Sequence, residues 1–194
     1  MPIQMTNIVL FGPPGAGKGT QASFLKERFG LVHISTGDVF RSNIKNETAL
    51  GKLAQSFMDE GNLVPDQVTI DMLSAEVDKN HDANGFLFDG FPRTVAQAEA
   101  LDVLLDNYQT NITAMVALEV PDQLLVERLL ERGKTSGRPD DANTEIIQNR
   151  IKAYYTNTAI LKSYYESQNK YFGVNGVGSI NEITERLQEL INSF

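Results

Sequence analysis

The residues best suited to chemistry stand close together near the amino-terminal end, as Gly12-Pro13-Pro14-Gly15-Ala16-Gly17-Lys18-Gly19-Thr20. They contain the pattern GxxxxGK directly after an apolar run and directly before a helical pattern, the context that marks a phosphate-cradling loop. Glycines let the backbone curl so that successive N–H groups point inward. The helix beginning near Lys18 adds the positive end of its dipole, and Lys18 adds a mobile full charge for terminal phosphates. Gly15, Ala16, Gly17, Lys18, Gly19 and Thr20 are therefore expected to hold a nucleoside triphosphate. The Ser/Thr that usually follows the lysine, and usually ligates Mg²⁺, is Gly19 here, with the hydroxyl one place later at Thr20. That ligating role cannot be carried over.

Asp89 closes the apolar run Gly85-Phe86-Leu87-Phe88-Asp89, which puts a carboxylate at a strand's carboxyl end beside the cradle. An acid near Mg²⁺ is expected there, touching the ion directly or through water. The competing reading is a turn aspartate before Gly90. Arg128 and Arg132 are four apart and so share a helix face. Spacing alone favours ion pairs with Glu127 or Glu131, worth roughly 0.3–0.5 kcal/mol each.

The elements that must position these groups alternate along the chain. Residues 7–11 form a continuous apolar run ending at glycine, as a parallel strand buried on both faces would. Similar runs lie at 31–34, 86–88, 114–120 and 171–174. Helical patterns occupy 18–29, 38–45, 48–60, 66–80, 95–108, 122–132 and 144–167. A last helix, about 180–192, starts with Ser179 and Glu182 in capping-box spacing. The long pattern shows Ile147, Ile151, Tyr154, Thr158, Leu161 and Tyr165 as one stripe facing the sheet, its tyrosines packing into the core. Alternating strands and helices give an α/β fold, a parallel sheet with helices on both faces, and ligands bind beyond the strands' carboxyl ends.

A chain of 194 residues suits one such domain with at most a small insertion. Its formal charge of −8 argues against broad nucleic-acid binding, although local field can still attract an anion. The absence of cysteine excludes disulfides and thiolate–zinc sites. No apolar run approaches the ~18 residues of a membrane span, and Met1–Thr6 has no basic residue of a signal peptide. A cytoplasmic, monomeric protein without a membrane partner is expected. His33 and His81 carry no partner pattern and read as structural or exposed.

From GPPGAGKGTQ onward the chain resembles the adenylate kinase family of nucleoside monophosphate kinases. The resemblance continues, in order, through Ser35-Thr36-Gly37-Asp38-Val39-Phe40-Arg41, Gly61-Asn62-Leu63-Val64-Pro65-Asp66 and Asp89-Gly90-Phe91-Pro92-Arg93-Thr94. It resumes at Arg128-Leu129-Leu130-Glu131-Arg132-Gly133, then Ser136-Gly137-Arg138-Pro139-Asp140-Asp141, then Arg150. It implies a P-loop NTPase-type five-stranded parallel sheet: a core at 1–34, 65–131 and 139–194, a helical monophosphate-binding insert at 35–64 and a short lid at 132–138. Two glycines in the lid suggest a mobile flap. Lid and acceptor helices are expected to close over both nucleotides and exclude water. Long-lid members insert a β module there, sometimes with zinc; this chain resembles the short form.

The implied reaction is reversible phosphoryl transfer from Mg·ATP to AMP, giving two ADP. Two polyanions repel, and the transition state spreads negative charge, so catalysis is mostly alignment plus cations. The resemblance assigns Arg128 to the ATP side, Arg132 to a lid contact with the donor, and Arg138 and Arg150 to the centre. It sets Arg41 and Arg93 on the acceptor phosphate, Asn62, Leu63 and Val64 near ribose and base, and Gln97 on the adenine edge. Gly90, Phe91 and Pro92 fall in the same acceptor segment, and Asp140 and Asp141 match a pair that hydrogen-bonds the arginines or the magnesium waters. Gly178, in Asn175-Gly176-Val177-Gly178, matches a segment whose backbone touches the donor adenine. Thr36, expected also to cap the next helix, and Gln97 favour AMP, since the similar pyrimidine monophosphate kinases usually carry Ala and Asn there.

A UMP/CMP kinase is the nearest rival. A GTPase would want Asn-Lys-x-Asp, whereas Asn169-Lys170 is followed by Tyr171 and Phe172. A nucleotide-sensing P-loop module without turnover would more naturally have lost Lys18, Asp89 or an arginine.

Overall fold

The computed structural model describes residues 5–141 and 143–194; Met1–Gln4, counted with the core above, lie outside the described residues. Five strands form one wholly parallel sheet in the order β2-β3-β1-β4-β5: β1 Ile8–Phe11, β2 Val32–Ser35, β3 Phe86–Asp89, β4 Ala114–Glu119 and β5 Tyr171–Asn175. Successive side chains point to opposite faces, and both faces are covered. Val9, Phe11, Phe86, Phe88, Met115 and Ala117 pack on helices α4 (Asp66–Lys79), α5 (Val95–Asn107) and α8 (Leu161–Glu166). Ile8, Leu10, Leu87, Val116 and Leu118 pack on α1 (Lys18–Phe29), α6 (Asp122–Ser136) and α9 (Ile180–Ile191). Helices α2 (Thr36–Lys45) and α3 (Ala49–Met58) share a smaller cluster with the start of α4, built on Phe40, Ala54, Val64 and Met72. Among the described residues no helix is long and apolar enough to cross a membrane.

Three boundaries differ from the sequence reading, each for a local reason. Helix α2 starts at Thr36 because the Ser35 hydroxyl accepts from the Asp38 N–H, so Ser35, not Thr36, is the cap. The helix expected over 144–167 is α7 (Thr144–Ala153), a π turn at Tyr154–Thr158, and α8. In that turn the Ala159 N–H reaches back to the Tyr154 carbonyl at 2.9 Å, across five residues. The expected single stripe divides there: Ile151 packs with one sheet layer, whereas Tyr154, Leu161 and Tyr165 pack with the other.

The third difference concerns the lid. Residues 132–136 are the last turn of α6, which ends at Gly137 in the left-handed conformation (φ 63°). Gly133, expected in a loop, lies in that last turn. A Cβ there would collide with the Asp141 carbonyl oxygen in the 3-10 turn Pro139–Asp141; glycine lets that turn lie against the helix. Gly→Ala in a solvated helix stabilises by about 0.5–1 kcal/mol. Gly133→Ala should instead destabilise by roughly 1–2 kcal/mol through overpacking, read as a lowered urea midpoint of the unliganded protein; a raised midpoint would refute the contact.

Candidate active site

Phe11, Asp89 and Glu119 end adjacent strands on the same edge of the sheet, where the connections from β1 and β3 diverge and a crevice opens. The glycine-rich loop leaves β1 there. Gly12, Gly15 and Gly17 all take positive φ (136°, 84° and 98°). A Cβ would meet the Leu118 carbonyl oxygen 2.8 Å from Gly12 and the Leu125 carbonyl oxygen 2.8 Å from Gly15. Glycine is thus required twice over, by dihedral and by space. Helix α1 follows with Gly17 as a cap that offers no side chain, so the N–H groups of its first turn remain available to an anion. Ala16 is buried, whereas Gly19 and Thr20 are exposed at the loop's outer rim.

Lys18 folds back over the loop, and its ammonium donates to the carbonyls of Gly12 (2.7 Å) and Pro13 (3.0 Å). Its pKa is pulled down to about 8, mainly by burial, with the charges of Arg93, Arg150 and Arg132 adding to the fall and Asp89 opposing it. Asp89 Oδ2 would lie 3.8 Å from a Cβ on Gly19, so the carboxylate faces the first turn of α1. Its one ion-pair contact within 4 Å among the described residues is His33 Nε2 at 3.6 Å.

Most of the arginines converge, from helices α2, α6 and α7 and from the loops that carry Arg93 and Arg138. Arg93 is enclosed, its Nε donating to the Gly90 carbonyl at 2.8 Å, and burial followed by the Arg150 charge lowers its pKa to about 10. Arg150, on α7, donates to the Asp140 carbonyl (3.0 Å) and faces carboxylate oxygens of Asp140 (3.1 Å) and Asp141. Arg132 makes a two-pronged bond to Asp141, Nε to Oδ2 at 2.6 Å and Nη2 to Oδ1 at 3.0 Å. Arg41 donates to Asp38 at 2.5 Å, and Arg138 lies 3.7 Å from the same oxygen. Burial, then the charges of Arg41 and Arg132, lower the pKa of Arg138. Arg128 stands apart, donating to the Gly176 carbonyl (3.1 Å) in the loop that carries Gly178. Burial alone would raise the Asp141 and Asp38 carboxyls; hydrogen bonds and charge, from Arg132 and Arg150 at the first and Arg41 at the second, hold both below the ordinary value.

A cleft runs from the glycine loop to the α2–α3 pair. Of the residues assigned to the acceptor, Thr36, Arg41, Asn62, Leu63, Val64 and Gly90 line it. So do Phe91, Pro92, Arg93, Gln97 and Arg150, and Lys18 stands at its floor. Arg138, Arg128, Arg132 and Gly178 lie outside that lining. Gly90 (φ 78°) ties the wall together: its carbonyl accepts from the Thr36 hydroxyl (2.9 Å) as well as from Arg93. Gln97 is buried, 2% exposed.

The whole sequence, compared with known proteins, matches the family profile described as adenylate kinase over residues 10–170. Proteins named adenylate kinase from Flavobacterium psychrophilum and Flavobacterium johnsoniae are 64% and 58% identical over 190 residues, 98% of this chain and 100% of each relative. One from Porphyromonas gingivalis is 43% identical, over 98% of this chain and 97% of its own length. The chain belongs to the adenylate kinase family. It is accordingly a phosphotransferase, a nucleoside monophosphate kinase.

Sequence reasoning missed several contributors. Phe40, Met58, Tyr154 and Thr158 also line the cleft; none of them was a candidate site residue, and the last two lie in the π turn. Arg186 donates to the Asn175 (2.9 Å) and Val177 (2.7 Å) carbonyls beside the Arg128 contact, and no motif marks it. For Asp141, a depressed pKa means stability that is present above the ordinary carboxyl range and lost as pH falls toward the folded value. Asp141→Asn should cost roughly 1–2 kcal/mol at neutral pH by removing the charge that faces Arg132 and Arg150, the second of which keeps Asp140. Urea unfolding at several pH values should show that gap closing below about pH 4; a gap independent of pH would contradict the ion-pair account.

Proposed function

We propose that this chain transfers a phosphoryl group reversibly from Mg·ATP to AMP, giving two ADP, with the glycine loop as donor site and the α2–α3 cleft as acceptor site. The observation that carries the reading is the gathering of Lys18, Arg41, Arg93, Arg138 and Arg150 at one crevice, close enough that burial and neighbouring guanidinium charges lower the pKa values of Lys18, Arg93 and Arg138. Such a cluster is unfavourable when empty and suits two polyphosphates end to end.

In this reading the ATP phosphates rest on the loop N–H groups and Lys18, with the donor adenine against the 175–178 loop that Arg128 anchors and Arg132 reaching the donor phosphates. Arg41 and Arg93 hold the AMP phosphate. Arg138 and Arg150 bridge the phosphates, and one AMP phosphate oxygen attacks the γ-phosphorus in line as its bond to the β–γ bridging oxygen breaks. The attacking oxygen carries no proton at neutral pH, so orientation and charge suffice without a general base.

Asp89 fits Mg²⁺: a carboxylate with one histidine neighbour, facing the loop, is the kind of single hard donor the ion uses when phosphates and waters complete its shell. Bound there with ATP, the ion would neutralise charge on the β- and γ-phosphates. We take the core, the 35–64 insert and the 132–138 segment as the moving parts that close over both nucleotides. We take the chain to act as a monomer, and nucleotide substrates suit a cytoplasmic enzyme.

Against the pyrimidine rival, Gln97 offers donor and acceptor together for the adenine edge. A coupled assay with ATP and each monophosphate should show AMP preferred over CMP and UMP. Lys18→Ala should lower kcat/KM by roughly 10²–10³ or more, while Gln97→Ala should relax base choice and spare most phosphate affinity. Equal use of CMP or UMP by the unaltered chain would overturn the assignment. ATP hydrolysis without AMP that rivals transfer would count against closure.

A further inference from the structure

Gln97 is held from both sides by groups that cannot exchange roles. The Arg93 backbone N–H donates to Gln97 Oε1 at 2.8 Å. Gln97 Nε2 donates to Asp66 Oδ1 at 2.8 Å. A backbone N–H can only donate and an ionised carboxylate can only accept. The carboxamide is therefore locked in one of its two otherwise similar orientations, with the oxygen toward Arg93 and the nitrogen toward Asp66. Its backbone is fixed as well, Gln97 N–H donating to the Thr94 hydroxyl that caps α5. Asp66 itself is anchored as the first residue of α4, after Pro65, where the helix dipole favours a negative charge.

Each end of the amide has one bond committed and one free. One N–H of Nε2 and one lone pair of Oε1 remain, on a residue that is 2% exposed and lines the cleft. That leftover pair matches a base edge with an acceptor ring nitrogen beside an exocyclic amino donor. It opposes a 6-oxopurine, in which the ring nitrogen donates and the exocyclic oxygen accepts. Turning the amide over would reverse the preference, and Asp66 resists that turn by refusing the oxygen.

We propose that Asp66 is a positioning residue for base choice: acting through Gln97, it makes the acceptor site select a 6-aminopurine over a 6-oxopurine monophosphate. The inference rests on the proposed acceptor site, and its test separates the two.

The experiment measures kcat and KM for AMP and IMP, with saturating Mg·ATP, for the unaltered chain, Asp66→Asn, Asp66→Ala, Gln97→Ala and the Asp66→Asn/Gln97→Ala double variant. In Asp66→Asn the new amide could face Gln97 with either end, and in Asp66→Ala the methyl group offers neither a donor nor an acceptor, so both substitutions remove the Asp66 half of the lock and leave the orientation to the Arg93 N–H alone. Melting temperatures check that each variant is folded. The AMP-to-IMP ratio of kcat/KM should fall about tenfold in each Asp66 variant, the factor one hydrogen bond supplies. The loss should come through a raised KM for AMP with little change in kcat, and Asp66→Asn should have no further effect once Gln97 is replaced by alanine. An unchanged ratio, an equal loss for both substrates, or the same fall in the Gln97→Ala background would overturn the role of Asp66 while leaving the acceptor site standing. A ratio unmoved by Gln97→Ala would overturn the acceptor-base site itself, and the inference with it.

Discussion

Positive charge crowded at one end of a parallel sheet is the constraint on which the remainder of this structure depends. Lys18 sits among Arg93, Arg132 and Arg150 and is drawn down to a pKa of about 8, chiefly by burial. Arg93 is drawn to about 10 by burial and by Arg150. Groups held in this way are poorly solvated and mutually repelled, a condition that binding polyphosphate would relieve. Water would have to reorient to stabilise developing negative charge; these groups are already in place.

The fold supplies what such crowding needs. Carboxylates stand beside the cations: Asp38 against Arg41 and Arg138, Asp141 against Arg132 and Arg150, Asp140 against Arg150, Asp89 facing the loop. A chain of net charge −8 can thus present a cationic cleft. Backbone carbonyls do similar work. The Gly90 carbonyl holds Thr36 and Arg93, and those of Gly12 and Pro13 hold Lys18. Hydrophobic burial on both faces of the sheet keeps these anchors rigid.

Much of this was legible in the sequence. Short apolar runs located all five strands, most plainly β1, β3 and most of β4, where burial on both faces leaves little room for polar residues. The glycine loop was legible because its residue types answer to dihedral and space, as Gly12 and Gly15 show. Less legible were features set by tertiary contact. Gly133 was one of two glycines suggesting a mobile flap, and the close approach of the Asp141 turn that it allows was not visible in the spacing. Thr36 read as a cap although its hydroxyl faces Gly90 across the cleft and Ser35 does the capping. The π turn at Tyr154–Thr158 has no proline or glycine to announce it, and it carries Thr158, which lines the cleft. Asp66 and Arg186 act on partners 31 and 9–11 residues away, which no local pattern reveals.

The most direct test of the central claim is proton uptake on binding a bisubstrate dinucleotide, measured calorimetrically near pH 9 in buffers of differing ionisation enthalpy. Lys18 is largely neutral at that pH in the unliganded protein and becomes charged against phosphate, so uptake should approach ~1 proton per site. It should vanish in Lys18→Met. Uptake that is absent in the unaltered chain, or that persists without Lys18, would contradict the account.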